Sequence, residues 1–397
     1  MSVNESFFVN LRQIITIIEK PKMKIVYCTP SLYIPGGVER VLTTKANYLA
    51  DVAGYDIYIV LTDGKGKAPY YPLSSKIKVI NLDINFEELW GLSFIKKGIV
   101  YLKKQRIFKK QLSQVLCDLK PDITVSLLRR EINFLCDIKD GSRKVGEMHI
   151  NRQNYRNFEA GDTNFVKRFF EKYWMYSLVR QLKRLDRFVV LSNEDKGNWQ
   201  EIDHVTVIPN PLPSMEISQI STTESKRVIA VGRYVYQKGF DLLVEAWETV
   251  VGRHPDWHLY IYGRGDKNSY RQVSNCHYEE AVENINDKYA ESSIFVLSSR
   301  FEGFGMVIIE AMSCGVPAVS FACPCGPKDI ITDGKDGFLV ENGNTQQLAE
   351  RICYLIEHAE ERKEMGEHAV ETAKRYSINE IGKQWVSLFG SLATGRD

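Results

Sequence analysis

The sequence lacks several features that would assign it to a common class of protein. Its eight cysteines include no C-x-x-C pair, which excludes the usual zinc-ribbon and thioredoxin-like motifs. No run of about 18 apolar residues occurs, so no transmembrane helix is expected. No G-x-G-x-x-G dinucleotide fingerprint follows a predicted strand, and no Asp-x-Asp pair ends one. Without a secretory leader, and with scattered thiols, the chain is expected in the reducing cytoplasm.

Charge is distributed unevenly along the chain, although the formal net charge is only +2. Residues 1–209 carry 33 Lys and Arg against 23 Asp and Glu, a balance of +10. Residues 210–397 carry 19 against 27, a balance of −8. This asymmetry predicts that the N-terminal part faces an anionic partner. No nucleic-acid recognition motif accompanies it, so nucleic acid is not the expected partner.

Short apolar runs alternate with helical patterns throughout, which is typical of parallel sheets covered by helices on both faces. In the first half, six buried strands are predicted at Lys24–Thr29, Ile57–Leu61, Val79–Leu82, Ile123–Leu127, Val145–His149 and Phe188–Leu191, with helices at Glu39–Ala50 and Lys104–Leu119. In the second half, strands are predicted at Val228–Val231, His258–Tyr262, Ile294–Leu297, Ala318–Phe321 and Phe338–Val340, with helices at Asp241–Arg253, Ile308–Cys314 and within Thr345–Arg375.

The segment Val207–Pro213 carries three prolines and separates the two series, because proline fits neither a helix interior nor a central strand. The fold class is therefore α/β, with two Rossmann-like doubly wound domains that face each other across a cleft. The predicted domains are residues 1–209 and 210–377. Residues 1–22 are a short extension, and a C-terminal helix at about 378–397 is expected to pack back onto the first domain. Ligands of such sheets bind beyond the carboxyl ends of the strands.

Two loops at these strand ends carry the features of an anion site. Gly36 and Gly37 follow the first strand and precede a helix, so the backbone can approach a bulky anion there. Arg233 and Lys238 lie on the loop after the first strand of the second domain, also before a helix. Two cations at a helix N-terminus suit a diphosphate. A plain turn and a solvated basic loop are the alternative interpretations.

Two carboxylates and a histidine complete the predicted cleft. Glu302 lies in the glycine-containing loop that follows Leu297, and Glu310 lies in the apolar helix beyond it. A buried carboxylate needs a partner, which can be a ligand hydroxyl pair or a neighbouring lysine. His149 ends a strand of the first domain. A single histidine is more often structural than catalytic.

The segments PGGVERV, GRYVYQKGFDLLVEAW and SSRFEGFGMVIIEAMSCGVPAVSF together resemble glycosyltransferase family 4 of the GT-B fold, with its Glu-x7-Glu motif. The resemblance covers nearly the whole chain after Lys22. It implies a retaining transferase that uses a nucleotide sugar, with UDP-sugars favoured. The N-terminal domain would bind the acceptor, and the C-terminal domain would bind the donor.

The resemblance also implies roles for individual residues. Arg233 and Lys238 would bind the diphosphate and stabilise the leaving group, while Glu302 would hold a sugar hydroxyl. Glu310 would bind the ribose, and His149 would lie near the sugar C6 hydroxyl and the reacting centre. Further contacts to the donor would come from Gly36, Gly37, Gly303, Phe304, Gly305, Met306 and Val307.

No metal or other cofactor is expected, because fixed cations and amides can neutralise a leaving diphosphate. One departure from the family concerns Gln272–Asn286, the expected base-contacting loop, where Glu280 and Ala281 stand in place of a glycine-bearing turn. The identity of the base stays open at this point. A GT-B sugar-nucleotide epimerase or hydrolase and a non-catalytic nucleotide-sugar-binding protein are the alternative functions.

A basic amphipathic helix predicts where the acceptor lies. Trp90–Leu112 contains seven basic residues, and Ile95, Ile99 and Leu102 share one face. Phe165–Arg184 is a second basic and aromatic stretch. Such helices bind anionic membrane surfaces, unless their apolar faces pack into the core. A lipid-linked or glycolipid acceptor at the inner face of the cell membrane is therefore expected, with the surface contacted through Lys96, Lys97, Lys103, Lys104 and Lys110.

Overall fold

The computed structural model describes residues 22–155, 165–213 and 219–395. The predicted helix within the first 22 residues lies outside these ranges, apart from Lys22. The first domain contains strands and helices in the order β1 (Lys24–Thr29), α1 (Gly37–Asp51), β2 (Asp56–Leu61), β3 (Lys78–Asn81), α2 (Phe94–Leu119), β4 (Ile123–Ser126), β5 (Arg143–Glu147), α3 (Phe165–Leu182), β6 (Arg187–Val190), α4 (Asn193–Gly197) and β7 (Val205–Val207).

The second domain repeats the pattern. Its elements are β8 (Arg227–Val231), α5 (Phe240–Arg253), β9 (His258–Gly263), β10 (Cys276–Glu280), α6 (Ile285–Ala290), β11 (Ile294–Leu297), α7 (Met306–Ser313), β12 (Ala318–Phe321), α8 (Pro327–Ile330), β13 (Gly337–Val340), α9 (Thr345–Glu357), α10 (Ala359–Lys374) and α11 (Ile378–Thr394). The stretch Thr345–Arg375, predicted to contain helices, holds α9 and α10.

Both sheets are parallel and doubly wound, as the alternating pattern predicted. The first has seven strands in the order β3-β2-β1-β4-β5-β6-β7, and the second has six in the order β10-β9-β8-β11-β12-β13. The short strands β7 and β10 were not predicted. Both are edge strands with partly exposed faces, so neither carries a fully apolar run. The switch in strand order lies beside β1 in one sheet and beside β8 in the other, and it sets the predicted ligand edge.

Helix α2 joins the predicted helix Lys104–Leu119 and the amphipathic stretch Trp90–Leu112 in one element that begins at Phe94. Its buried face carries Phe108, Leu112 and Leu116, which pack against strands β1 and β2. The first two turns extend beyond this core. Residues 95–99 are exposed, whereas Val100 and Tyr101 are partly buried against this core.

Helix α11 returns to the first domain. Its Ile381, Trp385 and Phe389 belong to the same buried cluster as Ile25 and Leu42 of the first domain. A Cβ on Gly382 would lie 2.2 Å from the Tyr48 ring, so the helix approaches α1 closely. The chain thus crosses between the domains twice, at the proline segment and before Ile378. Near this point, the amide of Leu212 donates a 2.7 Å hydrogen bond to the Tyr376 carbonyl.

Candidate functional site

The glycine loop of the first domain leaves open space at a helix start. Helix α1 begins at Gly37, and no side chain caps its first amides. A Cβ added at Gly37 would meet no heavy atom within 4 Å. At Gly36 a Cβ would lie 2.1 Å from a carboxylate oxygen of Glu39. The start of this 15-residue helix therefore has open space beside Gly37, and an uncapped helix N-terminus suits an anionic group such as the Glu39 carboxylate beside Gly36.

The loop after β8 carries two cationic side chains that differ in burial. Lys238 is half-buried, while the side chain of Arg233 is exposed and forms no ion pair with the described residues. Gly239 then begins α5 with a φ of +60°, and a Cβ there would lie 2.1 Å from the Ser298 carbonyl oxygen. Only glycine fits this close approach. It brings the Lys238 loop against the end of strand β11.

Lys238 and Glu302 meet directly. The Lys238 Nζ donates a 2.7 Å hydrogen bond to Glu302 Oε1, and the Ser299 hydroxyl donates a 2.6 Å bond to the same oxygen. Glu302 is buried. Two donors thus fix Oε1 of this buried carboxylate, while Oε2 has no partner among the described residues. Sequence reasoning had placed Lys238 and Glu302 in one cleft, but it gave Ser299 no role.

A second set of contacts ties the two loops together. The Gln237 side-chain amide donates a 3.0 Å bond to the Phe301 carbonyl. Arg300 pairs with Asp241 at 2.6 Å, and its guanidinium lies 3.9 Å from the centre of the Tyr236 ring. Sequence reasoning missed Arg300 and Asp241, because an ion pair between distant exposed residues leaves no local pattern. These contacts position the Lys238 and Glu302 loops as one unit.

Glycine also shapes the loop from Gly303 to Val307. Gly305 has a φ of +94° and begins helix α7, whose first residues are Met306 and Val307. Phe304 is buried and packs edge-to-face on Tyr376 at 5.6 Å between ring centres. The predicted donor-contacting amides therefore lie at a helix N-terminus, next to Glu302.

Glu310 lies inside α7, where it is buried. Its carboxylate forms an ion pair with Arg40 of the first domain. Burial lowers the pKa of Arg40. The two domains therefore meet at a charged pair close to the Gly36–Gly37 loop. The predicted ribose-binding carboxylate is occupied by an arginine in this structure.

His149 lies just beyond β5 and is part of a buried charged chain. Its Nε2 is 3.3 Å from Glu147 Oε1, and Lys45 pairs with the other Glu147 oxygen. Burial alone would raise the pKa of Glu147, but its contacts with Lys45 and His149 outweigh burial and lower that pKa to about 2. The Lys45 Nζ also lies 4.0 Å from the Trp385 ring centre. Sequence reasoning missed Glu147, Lys45 and Trp385.

The ends of the two sheets touch at His149. The Asn151 side-chain amide donates a 2.7 Å bond to the Glu302 carbonyl. A Cβ on Gly303 would lie 2.4 Å from the His149 carbonyl oxygen. The structure therefore brings His149, Lys238, Glu302 and the Gly303 loop together. Glu310 and the Gly36–Gly37 loop form a second group around Arg40.

The predicted base-contacting region contains strand β10. Glu280 ends this strand and pairs with Lys267 at 3.0 Å. Glu283 beyond it lines a cavity of about 570 Å³ between the domains, which Arg40 and Tyr71 also line. The cavity runs along the outer face of α1, past Thr44 and Asn47, and reaches Pro213 of the proline segment.

The remaining titratable groups do not assemble a metal centre within the described ranges, where no group of three His, Cys, Asp or Glu side chains is placed to hold an ion. Cys323 and Cys325 are buried free thiols. Burial raises the pKa of Cys325 to about 12. Both thiols are therefore protonated near neutral pH.

The first turns of α2 expose an apolar stripe. Ile95, Ile99 and Leu102 are 77%, 65% and 59% exposed, and Trp90 before the helix is 81% exposed. Lys96, Lys97, Lys103 and Lys110 beside them are exposed, whereas Lys104 turns inward and donates a 2.9 Å bond to the Asn85 carbonyl. The expectation that Lys104 faces a membrane is therefore wrong. In the part of the chain that the structure describes, no helix is both long and apolar enough to span a bilayer.

Comparison with known proteins relates this geometry to a class of enzyme. Residues 225–358 match the family model "Glycosyl transferases group 1", which spans the second sheet and helix α9. The chain is 28% identical over 364 residues to an uncharacterized glycosyltransferase of Haemophilus influenzae, with 88% of this chain and 95% of the relative covered.

A second relative acts, by its name, on a lipid-linked glycan. It is the GalNAc-alpha-(1->4)-GalNAc-alpha-(1->3)-diNAcBac-PP-undecaprenol alpha-1,4-N-acetyl-D-galactosaminyltransferase of Campylobacter jejuni, 26% identical over 383 residues, which cover 93% of this chain and 99% of the relative. Among solved structures, HepE of Anabaena in complex with UDP superposes with a TM-score of 0.68 at 16% identity, covering 93% of this chain and all of that one. The fold is GT-B, and the family match and relatives support a group 1 glycosyltransferase.

Proposed function

We propose that this protein is a retaining glycosyltransferase that moves a hexose or N-acetylhexosamine from a UDP-sugar to a lipid-linked or glycolipid acceptor. The observation that carries the proposal is the Lys238–Glu302–Ser299 network at the N-terminus of α7. It sets a cation, a carboxylate and free amides around one small volume. A nucleotide sugar needs each of these, for its diphosphate and its hydroxyls.

In the proposed reaction, residues 210–377 bind the donor. Lys238 and Arg233 meet the charge that develops on the diphosphate, together with the amides at the start of α7. Because these groups are already positioned, the proposed reaction uses no metal. Glu302 accepts a hydrogen bond from a sugar hydroxyl, which fixes the ring relative to Lys238. His149 approaches the sugar from the facing domain.

The ribose hydroxyls of the donor would bind the Glu310 carboxylate, either beside Arg40 or in its place. The cavity beside Glu283 would then receive the base. Support for UDP comes from the bound UDP of the HepE structure. Arg40 would afterwards lie near the phosphates, together with the amides of the Gly36–Gly37 loop.

Retention follows if the acceptor attacks from the face that the diphosphate leaves. The bond between the anomeric carbon and the diphosphate oxygen breaks, and a bond from that carbon to the acceptor oxygen forms. The acceptor proton passes to the leaving diphosphate. No enzymic nucleophile is required, since the transition state resembles an oxocarbenium ion that Glu302 and the phosphates stabilise.

The acceptor is proposed to lie at an anionic membrane surface, bound by residues 1–209. The exposed stripe Ile95, Ile99 and Leu102, with lysines on its flank, supports this placement. The second stretch, within helix α3, exposes Tyr173, Trp174 and Tyr176. The name of the Campylobacter relative supports a prenyl-diphosphate acceptor. The protein would then work at the inner face of the cell membrane.

A thermal-shift screen with UDP-, GDP- and ADP-sugars tests donor binding. A ligand that binds only the folded chain at 100 times its Kd stabilises it by about 2.7 kcal/mol. We expect a rise in the melting temperature with UDP and UDP-sugars and a smaller rise in the Glu310→Gln variant. Equal melting temperatures with and without every nucleotide would contradict the proposal.

A further inference from the structure

A cavity of about 420 Å³ opens at the carboxyl edge of the first sheet, apart from the donor loops. We call it the Trp90 cavity. The side chains that matter for its chemistry are those of Tyr33, Asp63, Trp90, Arg129, Ile150 and Tyr155. They follow β1, β2, β4 and β5, so the cavity lies at the edge where open parallel sheets bind their ligands.

The wall of the Trp90 cavity continues into the donor site. Ile150 lines the cavity, and its two neighbours contact the Glu302 loop. Asn151 donates its 2.7 Å bond to the Glu302 carbonyl, and the His149 carbonyl faces Gly303. A molecule that fills the cavity therefore ends close to the backbone of the Glu302 loop.

Arg129 is the cation of this cavity that other side chains leave available. The neighbouring Arg130 pairs with Asp63 at 3.5 Å, and Glu87 accepts a 2.7 Å bond from the Tyr33 hydroxyl. The side chain of Arg129, by contrast, is exposed and makes no ion pair within the described ranges. An exposed arginine of this kind suits a phosphate, to which its guanidinium can donate two parallel hydrogen bonds.

Hydrogen bonds to a buried carboxylate fix the backbone around Arg129. Its amide donates a 3.1 Å bond to the buried Glu131 carboxylate, which also accepts a 2.7 Å bond from the Ser126 hydroxyl. Leu128 has a φ of +52°, which is unfavourable for a branched side chain and is held by these contacts. The loop therefore presents Arg129 on a rigid base.

The open end of the Trp90 cavity meets the apolar stripe. Trp90 lines the cavity, and the Lys97 Nζ of α2 lies 5.7 Å from its ring centre. Gln105 of α2 donates a 3.3 Å bond to the Arg130 carbonyl on the cavity wall. An apolar chain lying along Ile95 and Ile99 could therefore carry a polar head past Trp90 into the cavity.

We propose that the Trp90 cavity binds the phosphate-linked head of a prenyl-diphosphate acceptor, and that Arg129 contacts its diphosphate. The rings of Tyr33 and Tyr155 form apolar walls for the attached sugar, and Trp90 marks the boundary with the lipid. This inference rests on the proposed function. It adds the chemical group by which the acceptor is recognised.

Vesicle co-sedimentation tests the inference without knowledge of the sugar. Two sets of vesicles carry equal charge at 0.2 M salt (roughly an 8 Å screening length or less). One contains undecaprenyl diphosphate, and the other contains extra phosphatidylglycerol instead. The variant is Arg129→Gln. The matched control is Lys139→Gln, which removes one charge from an exposed residue before β5, at the opposite edge of the same sheet.

Wild-type protein and Lys139→Gln should bind the diphosphate vesicles about tenfold more tightly than the phosphatidylglycerol vesicles, and inorganic pyrophosphate should compete. Arg129→Gln should lose this preference while keeping its affinity for phosphatidylglycerol. No preference in the wild type, or a preference that survives in Arg129→Gln, would overturn the inference. UDP binding, measured by thermal shift on the same proteins, reports the donor site separately. Failure of UDP to bind would count against the proposed function alone.

Discussion

Lys238 and Glu302 lie 64 residues apart in the chain, yet a 2.7 Å hydrogen bond joins Nζ to Oε1. The bond links the loop after β8 to the loop after β11, whose strands are neighbours in the second sheet. The backbone of the same loop contacts the first domain, where the Asn151 side-chain amide donates a hydrogen bond to the Glu302 carbonyl. A sugar placed here would contact both glutamate and lysine.

Arg233→Ala is expected to reduce kcat about 100- to 1000-fold, because removing one preformed charge partner of a leaving group has this effect. The melting temperature of the free protein should not change, since Arg233 is exposed and makes no ion pair with described residues. Lys335→Ala is the control, an exposed lysine just before β13. Steady-state kinetics and differential scanning fluorimetry check both. Wild-type kcat in Arg233→Ala would contradict the assignment.

Glu310→Gln tests the ribose contact. Hydrogen bonds to a charged group contribute about 1.5–3 kcal/mol, so UDP should bind roughly 10- to 100-fold more weakly to the variant. The 2′-deoxy analogue of UDP should bind the wild type more weakly than UDP does. In the variant the two nucleotides should bind alike. Titration calorimetry with both ligands measures whether the loss of the Glu310 carboxylate and the loss of the 2′-hydroxyl depend on each other. If the two losses of binding free energy simply add, Glu310 does not contact the ribose.

The Lys45–Glu147 pair predicts a dependence of stability on pH. The pKa of Glu147 in the folded chain is about 2, below its ordinary value of 4.5. This depressed pKa contributes stability that is complete above pH 4.5 and is lost as pH falls toward 2. Glu147→Gln should remove this part of the acid sensitivity and should destabilise the protein by about 3–5 kcal/mol, because Lys45 stays buried without its partner.

Denaturant unfolding at several pH values measures this effect. Should Glu147→Gln fail to fold, the double variant Lys45→Met, Glu147→Gln removes both charges and should recover much of the stability. A single variant as stable as the wild type, with unchanged acid sensitivity, would show that the buried pair is not coupled to folding.

Much of this architecture could be predicted from the sequence, because buried parallel strands are short apolar runs whose ends are easy to recognise. Ile294–Leu297 and Ala318–Phe321 have their predicted bounds. Strand β10 could not be recognised, since its sequence CHYEE is polar and edge strands need only one buried face. Helix α2 begins at Phe94, inside the stretch Trp90–Leu112 that the sequence predicted as an amphipathic helix, although Ile95 and Ile99 there are exposed.

The candidate site could likewise be predicted only in part. Loops that follow strands converge at one edge, so Lys238, Glu302 and His149 could be grouped from the sequence, while the grouping of Arg233 with them stays a prediction. The Arg40–Glu310 ion pair joins residues of different domains. Only the relative position of the two sheets brings them together, and no local pattern encodes it. Lys45 could not be identified as buried, because lysine in an amphipathic helix is ordinarily solvated.

The exposed lysines of α2 predict salt-sensitive membrane binding. Each basic residue near an anionic surface contributes about 1 kcal/mol, so replacing Lys96, Lys103 and Lys110 by serine should weaken vesicle binding by roughly 100-fold. Co-sedimentation with anionic vesicles at low and high salt checks this. If the triple variant binds vesicles as tightly as the wild type, this face of α2 is not the membrane contact. The control replaces three exposed lysines of the second domain, Lys335, Lys363 and Lys374.

The central claim is sugar transfer from a nucleotide sugar by the Lys238–Glu302 site. The most direct measurement follows release of the nucleoside diphosphate from each UDP-sugar, with vesicles that contain prenyl-diphosphate glycans. The account predicts that wild-type protein releases UDP from one donor and forms a new glycolipid, and that Lys238→Ala slows both at least about 100-fold. UDP release and glycolipid formation at the wild-type rate in Lys238→Ala, or no consumption of any nucleotide sugar by the wild type, would contradict it.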